Sequence, residues 1–248
     1  MWSFHTLADG FCVHSRLYLK LELEPSRESI TQYFDQIRRA FPSLRQIRRR
    51  EDGALLLEED ERAGAGRRSV RVDASSIRFS VHDAPDAAGV AAFAERVLAT
   101  APAFLTLCEL DYDYQEVSFA FDLEYRGNHD QLVATTLFPD SPIVTALGDG
   151  GARVIDCQPF VGVALGDECE TQMFVEIKGR TSIFEVRTGE YETTPLSVYV
   201  TARRYREAQT LDLVKTHREL LRFVERYTAD RVAPLVVQPL AAAIASGR

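Results

Sequence analysis

Lysine is almost absent from this chain. Only Lys20, Lys178 and Lys215 are lysines among 29 basic residues, so arginine carries nearly all the positive charge. Arginine grips carboxylates and phosphates in a bidentate way that lysine cannot, although Ala- and Arg-rich usage also fits GC-rich coding. A basic excess is absent too. The 37 acidic residues leave a formal charge of −8, and neither half of the chain is basic. A nucleic-acid binder presents a basic domain or stripe, so neither a nucleic-acid partner nor an anionic membrane surface is expected. No run approaches the ~18 apolar residues of a membrane span. The opening MWSFHTLADG lacks the basic start and apolar centre of a signal peptide, which makes a cytoplasmic location the expectation. The four cysteines, Cys12, Cys108, Cys157 and Cys169, form no CxxC pair and are too sparse for a disulfide scaffold. They are expected to be reduced and mostly buried. Gly-x-Ser-x-Gly, Walker and HExxH signatures are all missing, and no cofactor is expected.

What is present is the composition of a folded protein, with 46% hydrophobic and 27% charged residues over 248 positions. That excludes a wholly disordered chain or a fibre. The length allows one large domain or two modest ones. Val13, Leu17, Leu19, Leu21 and Leu23 alternate with polar residues, which predicts a strand from Phe11 to Glu24. Ser26 offers an N-cap, and Ile30, Phe34, Ile37 and Phe41 make one apolar stripe on a helix closed by Pro42. Short strands are predicted near 44–50, 53–58, 68–73 and 76–82. A second helix should run from Pro85 to Pro102, with Val90, Phe93, Val97 and Ala101 inward.

The same order then returns. Val117, Phe119, Phe121 and Leu123 alternate in a strand, and a helix follows from about His129 to Phe138. Strands are predicted near 152–158, 160–165, 171–179, 182–188 and 196–203, before a long amphipathic helix from about Leu211 to Val232. Leu21-Glu22-Leu23-Glu24 matches Phe121-Asp122-Leu123-Glu124, and each strand precedes a helix ending in Phe-Pro. The fold expected is α+β: a two-layer tandem duplication of β-α-β4-α units, 1–104 and 105–248, sharing an antiparallel sheet. Joining two sheets edge to edge would also remove an exposed strand edge.

The β-α-β4-α order resembles the fold shared by the TATA-binding protein and the helix-grip lipid-binding proteins. The likeness is one of topology, carried by no motif. DNA binding does not follow from it, because that family needs a basic, apolar face with Phe wedges, and Glu22, Glu24, Asp122 and Glu124 point outward here. The chain is also similar to a sporadically distributed, uncharacterised bacterial family of about 250 residues. That family shares the opening strand, the segment SVRVDASSIRFSVHDA and the closing helix LVKTHRELLRFVERYTADRVAP. It implies no residue roles.

Four constellations could carry chemistry. Cys12 and His14 leave one strand face together and could begin a metal site, with His5 or His82 joining only through the fold. Packing of that face is the alternative. Asp111 and Asp113, with Glu109 and Glu116, could hold a cation or share a proton in a catalytic role, or form a solvated strand face. The phase of the alternation changes near Gln115, which predicts a bulge. Arg48, Arg49 and Arg50, with Arg38, Arg39, Arg67, Arg68 and Arg71, could bind an anion or an acidic partner, although Glu51, Asp52 and the acidic run from Glu58 to Glu61 could neutralise them. Gly148-Asp149-Gly150-Gly151 resembles a phosphate loop in glycine content, but a strand rather than a helix is predicted after it, so a hairpin turn is expected. His217 is assigned to the core or its boundary.

The function expected first is a non-catalytic interaction or assembly protein with a protein partner or a second copy of itself. The apolar tail Pro234 to Ile244 would cover a neighbour or the chain's own sheet. A helix-grip small-molecule binder, with a cavity between sheet and long helix, is the alternative. An enzyme built on Asp111 and Asp113 ranks third.

Overall fold

A computed structural model describes residues 2–23, 26–60, 66–147, 151–206 and 212–247. Helix makes up 40% and strand 31%, a mixed α+β composition around one large antiparallel sheet. Among the described residues there are nine strands, β1 (Gly10–Leu19), β2 (Gln46–Arg49), β3 (Leu55–Glu58), β4 (Arg67–Asp73), β5 (Ser76–His82), β6 (Tyr112–Tyr125), β7 (Phe160–Leu165), β8 (Thr171–Lys178) and β9 (Thr194–Tyr205). Their order across the sheet is β2-β3-β4-β5-β1-β6-β9-β8-β7. The helices are α1 (Arg27–Ala40), α2 (Ala87–Leu105), α3 (His129–Leu137), α4 (Pro142–Leu147), α5 (Ile183–Thr188), α6 (Leu213–Tyr227) and α7 (Gln238–Ala245). A π-helical stretch, Thr228–Val237, joins α6 to α7 and makes one long C-terminal rod. Pro234 lies inside it. A proline ring clashes with the carbonyl four residues back in an α-helix, and widening the turn relieves that clash.

The units expected to divide at residue 104 meet where β1 pairs with β6. From that seam the sheet runs outward through β5, β4, β3 and β2 on one side, and through β9, β8 and β7 on the other. β1 is shorter than its alternation suggests. β5 begins at Ser76 opposite Tyr18, and β6 begins at Tyr112 opposite Leu19. Beyond Leu19 the regular ladder stops, with only the Lys20 N–H to the Asp111 carbonyl and the Leu23 N–H to the Ala74 carbonyl continuing among the described residues, and Leu21 is exposed; Glu24 lies outside the described residues. The register shift falls between Leu17 and Leu19, opposite Gln115 and Tyr112, where the sequence places a bulge.

Phe11, Val13, Ser15, Leu17 and Leu19 point from β1 into the core, which is closed by α1, α2 and α6. Asp86 caps α2 by accepting from the Gly89 N–H. Pro102 does not end this helix. α2 continues to Leu105, whose side chain is buried, and the Thr106 N–H closes the turn on the Pro102 carbonyl. α2 is long and apolar enough to cross a membrane by length and composition alone. Here it packs between α1 and α6. Arg96 binds the Gln36 carbonyl of α1, and Glu95 pairs with Arg218 of α6.

The second half departs most from the sequence pattern. No strand forms at 152–158. Backbone groups there are taken by side chains of the α3 start: Asn128 Nδ2 donates to the Val154 carbonyl, the Val154 N–H to Gln131 Oε1 and the Cys157 N–H to Asp130 Oδ1. The predicted strand at 182–188 is instead α5. Ser182 and Glu185 form a reciprocal capping box, and Gly189 closes the helix at φ +75°. Among the described residues three strands, not four or five, therefore follow α3. Gly148, Asp149 and Gly150 lie outside the described residues, as does Leu211, the predicted start of the last helix. The apolar tail covers its own chain. Val237 and Leu240 are fully buried, and α7 packs on α3. The cysteines are all free, but Cys108 and Cys169 are exposed, contrary to the expectation of burial. Both lie in turns between elements, outside the core-facing positions of the sheet.

Candidate functional site

The face of the sheet that carries the odd-numbered side chains of β1 packs against α2 and α6. The other carries the even-numbered side chains of β1 and their register partners, which form ordered rows across the strands. Arg71, Arg78, Arg16, Glu116 and Arg203 stand directly opposite one another on β4, β5, β1, β6 and β9. Neighbouring strands are ~4.8 Å apart, so three guanidinium-bearing positions fall within about 10 Å. Two residues along the strands runs a second row: Ser69, Ser80, His14, Ser118 and Thr201. Its hydroxyls bond in pairs, Ser69 with Ser80 at 2.8 Å and Thr201 with Ser118 at 2.7 Å. A cavity of about 280 Å³ lies along these rows, lined by His14, Arg16, Arg71, Arg78, Ser80 and Glu116.

Like charges directly opposite on adjacent strands destabilise a sheet. The compensation here is uneven. Arg71 pairs with Asp52 and Asp73, Arg78 with Asp73, and Arg203 with Glu116 at 3.0 Å. Among the described residues Arg16 forms no ion pair. Its guanidinium lies 3.7 Å over the Tyr18 ring and donates to that phenol, while its Nε is buried with no hydrogen-bond partner. The Arg71 Nε also lacks a hydrogen bond. Burial lowers the Arg16 pKa below its ordinary value, and Arg78 adds to that effect against the opposing pull of Tyr18, Asp73 and Glu116. Tyr18 stacks on Tyr114 at 4.0 Å, and Arg203 covers the other ring at 4.4 Å, so a wall of aromatic and guanidinium planes borders the arginine row.

The structure scatters the arginines picked out by sequence. Arg48 and Arg49 point to opposite faces of β2, with Arg48 bound to Glu58 at 3.0 Å; Arg50 follows the strand, exposed. Arg38 pairs with Asp35 on α1, Arg68 with the buried Glu59. Of that group only Arg71 lines the cavity. Cys12 and His14 do share a face, with Sγ and Nδ1 3.8 Å apart, and the His82 ring is 6.2 Å from that of His14. Burial, with Asp122 and Asp83, pushes the Cys12 thiol far up, away from the thiolate a metal would need. Among the described residues no group of three or more metal-ligating side chains converges. Asp111 and Asp113 sit at the start of β6. Asp111 belongs to a 3-10 turn, Glu109–Asp111, and its Oδ2 accepts from the Cys108 N–H at 2.7 Å. Asp113 is the second residue of β6, and its carbonyl accepts from the Arg206 N–H.

Other polar groups serve the scaffold. His129 is buried; its Nδ1 accepts from the Arg180 N–H, and its own N–H donates to Thr181, tying α3 to the loop after β8. The face of α6 that a helix-grip ligand would meet is filled by His217, Leu220, Leu221 and Val224. Arg16, Arg78 and Arg203 escaped the sequence reading because they are 16, 78 and 203 in the chain. The β4–β5 hairpin alone would have placed Arg71 opposite Arg78, but the β1 and β6 neighbours are tertiary facts.

No protein-family model matches this chain, and a search of curated proteins finds no match.

Proposed function

We propose that this is a non-catalytic assembly protein whose partner is a second copy of itself, joined through β7. The observation that carries the reading is the contradiction between the sequence of β7 and its position. Phe160-Val161-Gly162-Val163-Ala164-Leu165 is a continuous apolar run, the pattern of a strand buried on both faces. Yet β7 is the last strand of the sheet and has a neighbour on one side only. Five of its six residues are exposed, with Phe160 at 62% and Val161 at 61%.

The opposite edge shows how an unpaired strand is kept solitary. β2 is four residues long and carries Arg48 and Arg49, and short, charged edges resist pairing. β7 has no charged residue at all. Two copies related by a two-fold axis would pair their β7 edges antiparallel, satisfy each other's free backbone groups and cover Val161 and Val163 with their own counterparts. The identical edge is the one partner present at matching concentration wherever the chain is made. The order of strands on the two sides of the β1–β6 seam supports a duplicated scaffold, with β2 and β7 as its two ends.

Sedimentation velocity across a concentration series tests this. The wild-type chain should dimerise, and Val161→Lys with Val163→Lys should sediment as a folded monomer. A wild-type chain that stays monomeric at ~100 μM, or a variant that dimerises equally well, overturns the reading.

A further inference from the structure

We propose a second site, separate from the β7 edge: the arginine row on the open face of the sheet binds a small phosphate monoester with a hydroxylated carbon skeleton. Arg16 is the centre of the argument. It stands between Arg78 on β5 and Glu116 on β6, it pairs with no carboxylate among the described residues, and its buried Nε has no acceptor. A charged donor left unbonded at a half-buried position costs stability. An anion bound between Arg16, Arg71 and Arg78 would remove that cost. It would offer an acceptor to the unbonded guanidinium of Arg16, and it would separate three like charges that the sheet register forces together.

The geometry favours a phosphate over a carboxylate. Three guanidinium groups approach from three adjacent strands, more donors than the two oxygens of a carboxylate engage, whereas a monoester offers three oxygens and up to two charges. The pocket is also not purely cationic. Two residues along the strands stand Ser80, His14 and Ser118, and Glu116 lines the same cavity. Hydroxyls, a carboxylate and an imidazole beside a cationic end are the complement of a polyol: the carboxylate and imidazole accept from ligand hydroxyls, and the serines donate or accept. A volume of about 280 Å³ admits a pentose or hexose phosphate and little more.

Isothermal titration calorimetry on the full chain tests this with glucose 6-phosphate, ribose 5-phosphate, inorganic phosphate, gluconate and glucose as probes. At least one sugar phosphate should bind at least tenfold more tightly than inorganic phosphate or gluconate, and glucose should not bind. Arg16→Met should weaken that binding at least tenfold, while Arg45→Met, on the exposed stretch before β2, should leave it unchanged. A thermal melt of Arg16→Met at or above the wild-type temperature shows that the variant folds. Arg78→Met is the parallel variant, and it should weaken binding as well. The proposal is overturned if neither sugar phosphate binds, if gluconate or phosphate alone binds as tightly, or if folded Arg16→Met binds like wild type. A wild-type chain that stays monomeric yet binds a sugar phosphate would overturn the β7 reading alone, and a dimer that binds none would overturn this one alone, so the two proposals fail separately.

Discussion

Ser15 Oγ and His217 Nε2 lie 2.9 Å apart, joining β1 to α6 across 202 positions of chain. The His217 ring is 1% exposed and packs on Phe79, and its Nδ1 has no hydrogen-bond partner. Burial lowers its pKa from 6.5 to about 3. The folded state therefore keeps this imidazole neutral at pH values where the unfolded chain protonates it. The stability this neutrality allows is complete above about pH 6.5 and is lost as pH falls toward 3, at up to about 1.4 kcal/mol per pH unit. Urea unfolding at pH 7, 6, 5 and 4 should show that fall, and His217→Gln, which keeps a polar group without titrating, should flatten it. Parallel wild-type and variant curves would refute the assignment.

Tyr33 makes a second buried tie. Its hydroxyl donates to the Val97 carbonyl at 3.0 Å and joins α1 to α2 within a fully buried pair. Tyr33→Phe removes the bond and leaves the packing, so it should cost about 1–2 kcal/mol in urea unfolding with an unchanged m-value.

Cutting the chain after Ala233 should unfold it rather than free it from a neighbour. Val237 and Leu240 are 0% exposed and would be lost together. Two such side chains contribute about 3–6 kcal/mol, a large share of the stability of an ordinary domain. Circular dichroism melts of the truncated chain should show a lowered or absent transition. A chain that melts like wild type would show that the tail holds nothing.

Thiol labelling should separate the cysteines. Cys108 and Cys169 are exposed and should react first with a maleimide. Cys157 is half-buried, its thiol pushed up by burial and by Asp130, and should lag. Cys12 is buried beside Asp122 and Asp83 and should react only on unfolding. Mass spectrometry of timed samples gives the order, and early modification of Cys12 would contradict the register of β1.

The sequence patterns that proved reliable were those decided locally. Alternation in β1 and β6, the stripe Ile30, Phe34 and Ile37 on α1, and the hairpin turn Asp73-Ala74-Ser75-Ser76 all depend on near neighbours. The misreadings fell where something distant decided. Ala152-Arg153-Val154-Ile155 has strand composition, but Asn128, Asp130 and Gln131 take its backbone hydrogen bonds. Residues 182–188 are the exception: Ser182, Glu185 and Gly189 spell a capped helix in local text, and β-branched neighbours hid it. Of the candidate site, Arg71, His14 and Glu116 were within view, each in a different grouping. A row that crosses five strands has no spacing in the sequence to betray it.

The position of β1 has a kinetic consequence. It precedes both its partners, β5 and β6, in the sequence, with β6 ending at Tyr125. Until β5 is made β1 has two bare edges, and until β6 is made it keeps one bare edge beside its apolar side. Sheets that must wait for distant partners fold slowly and are exposed to mispairing meanwhile. The segments that form β5 and β6 must both be in place before β1 is protected on its two edges.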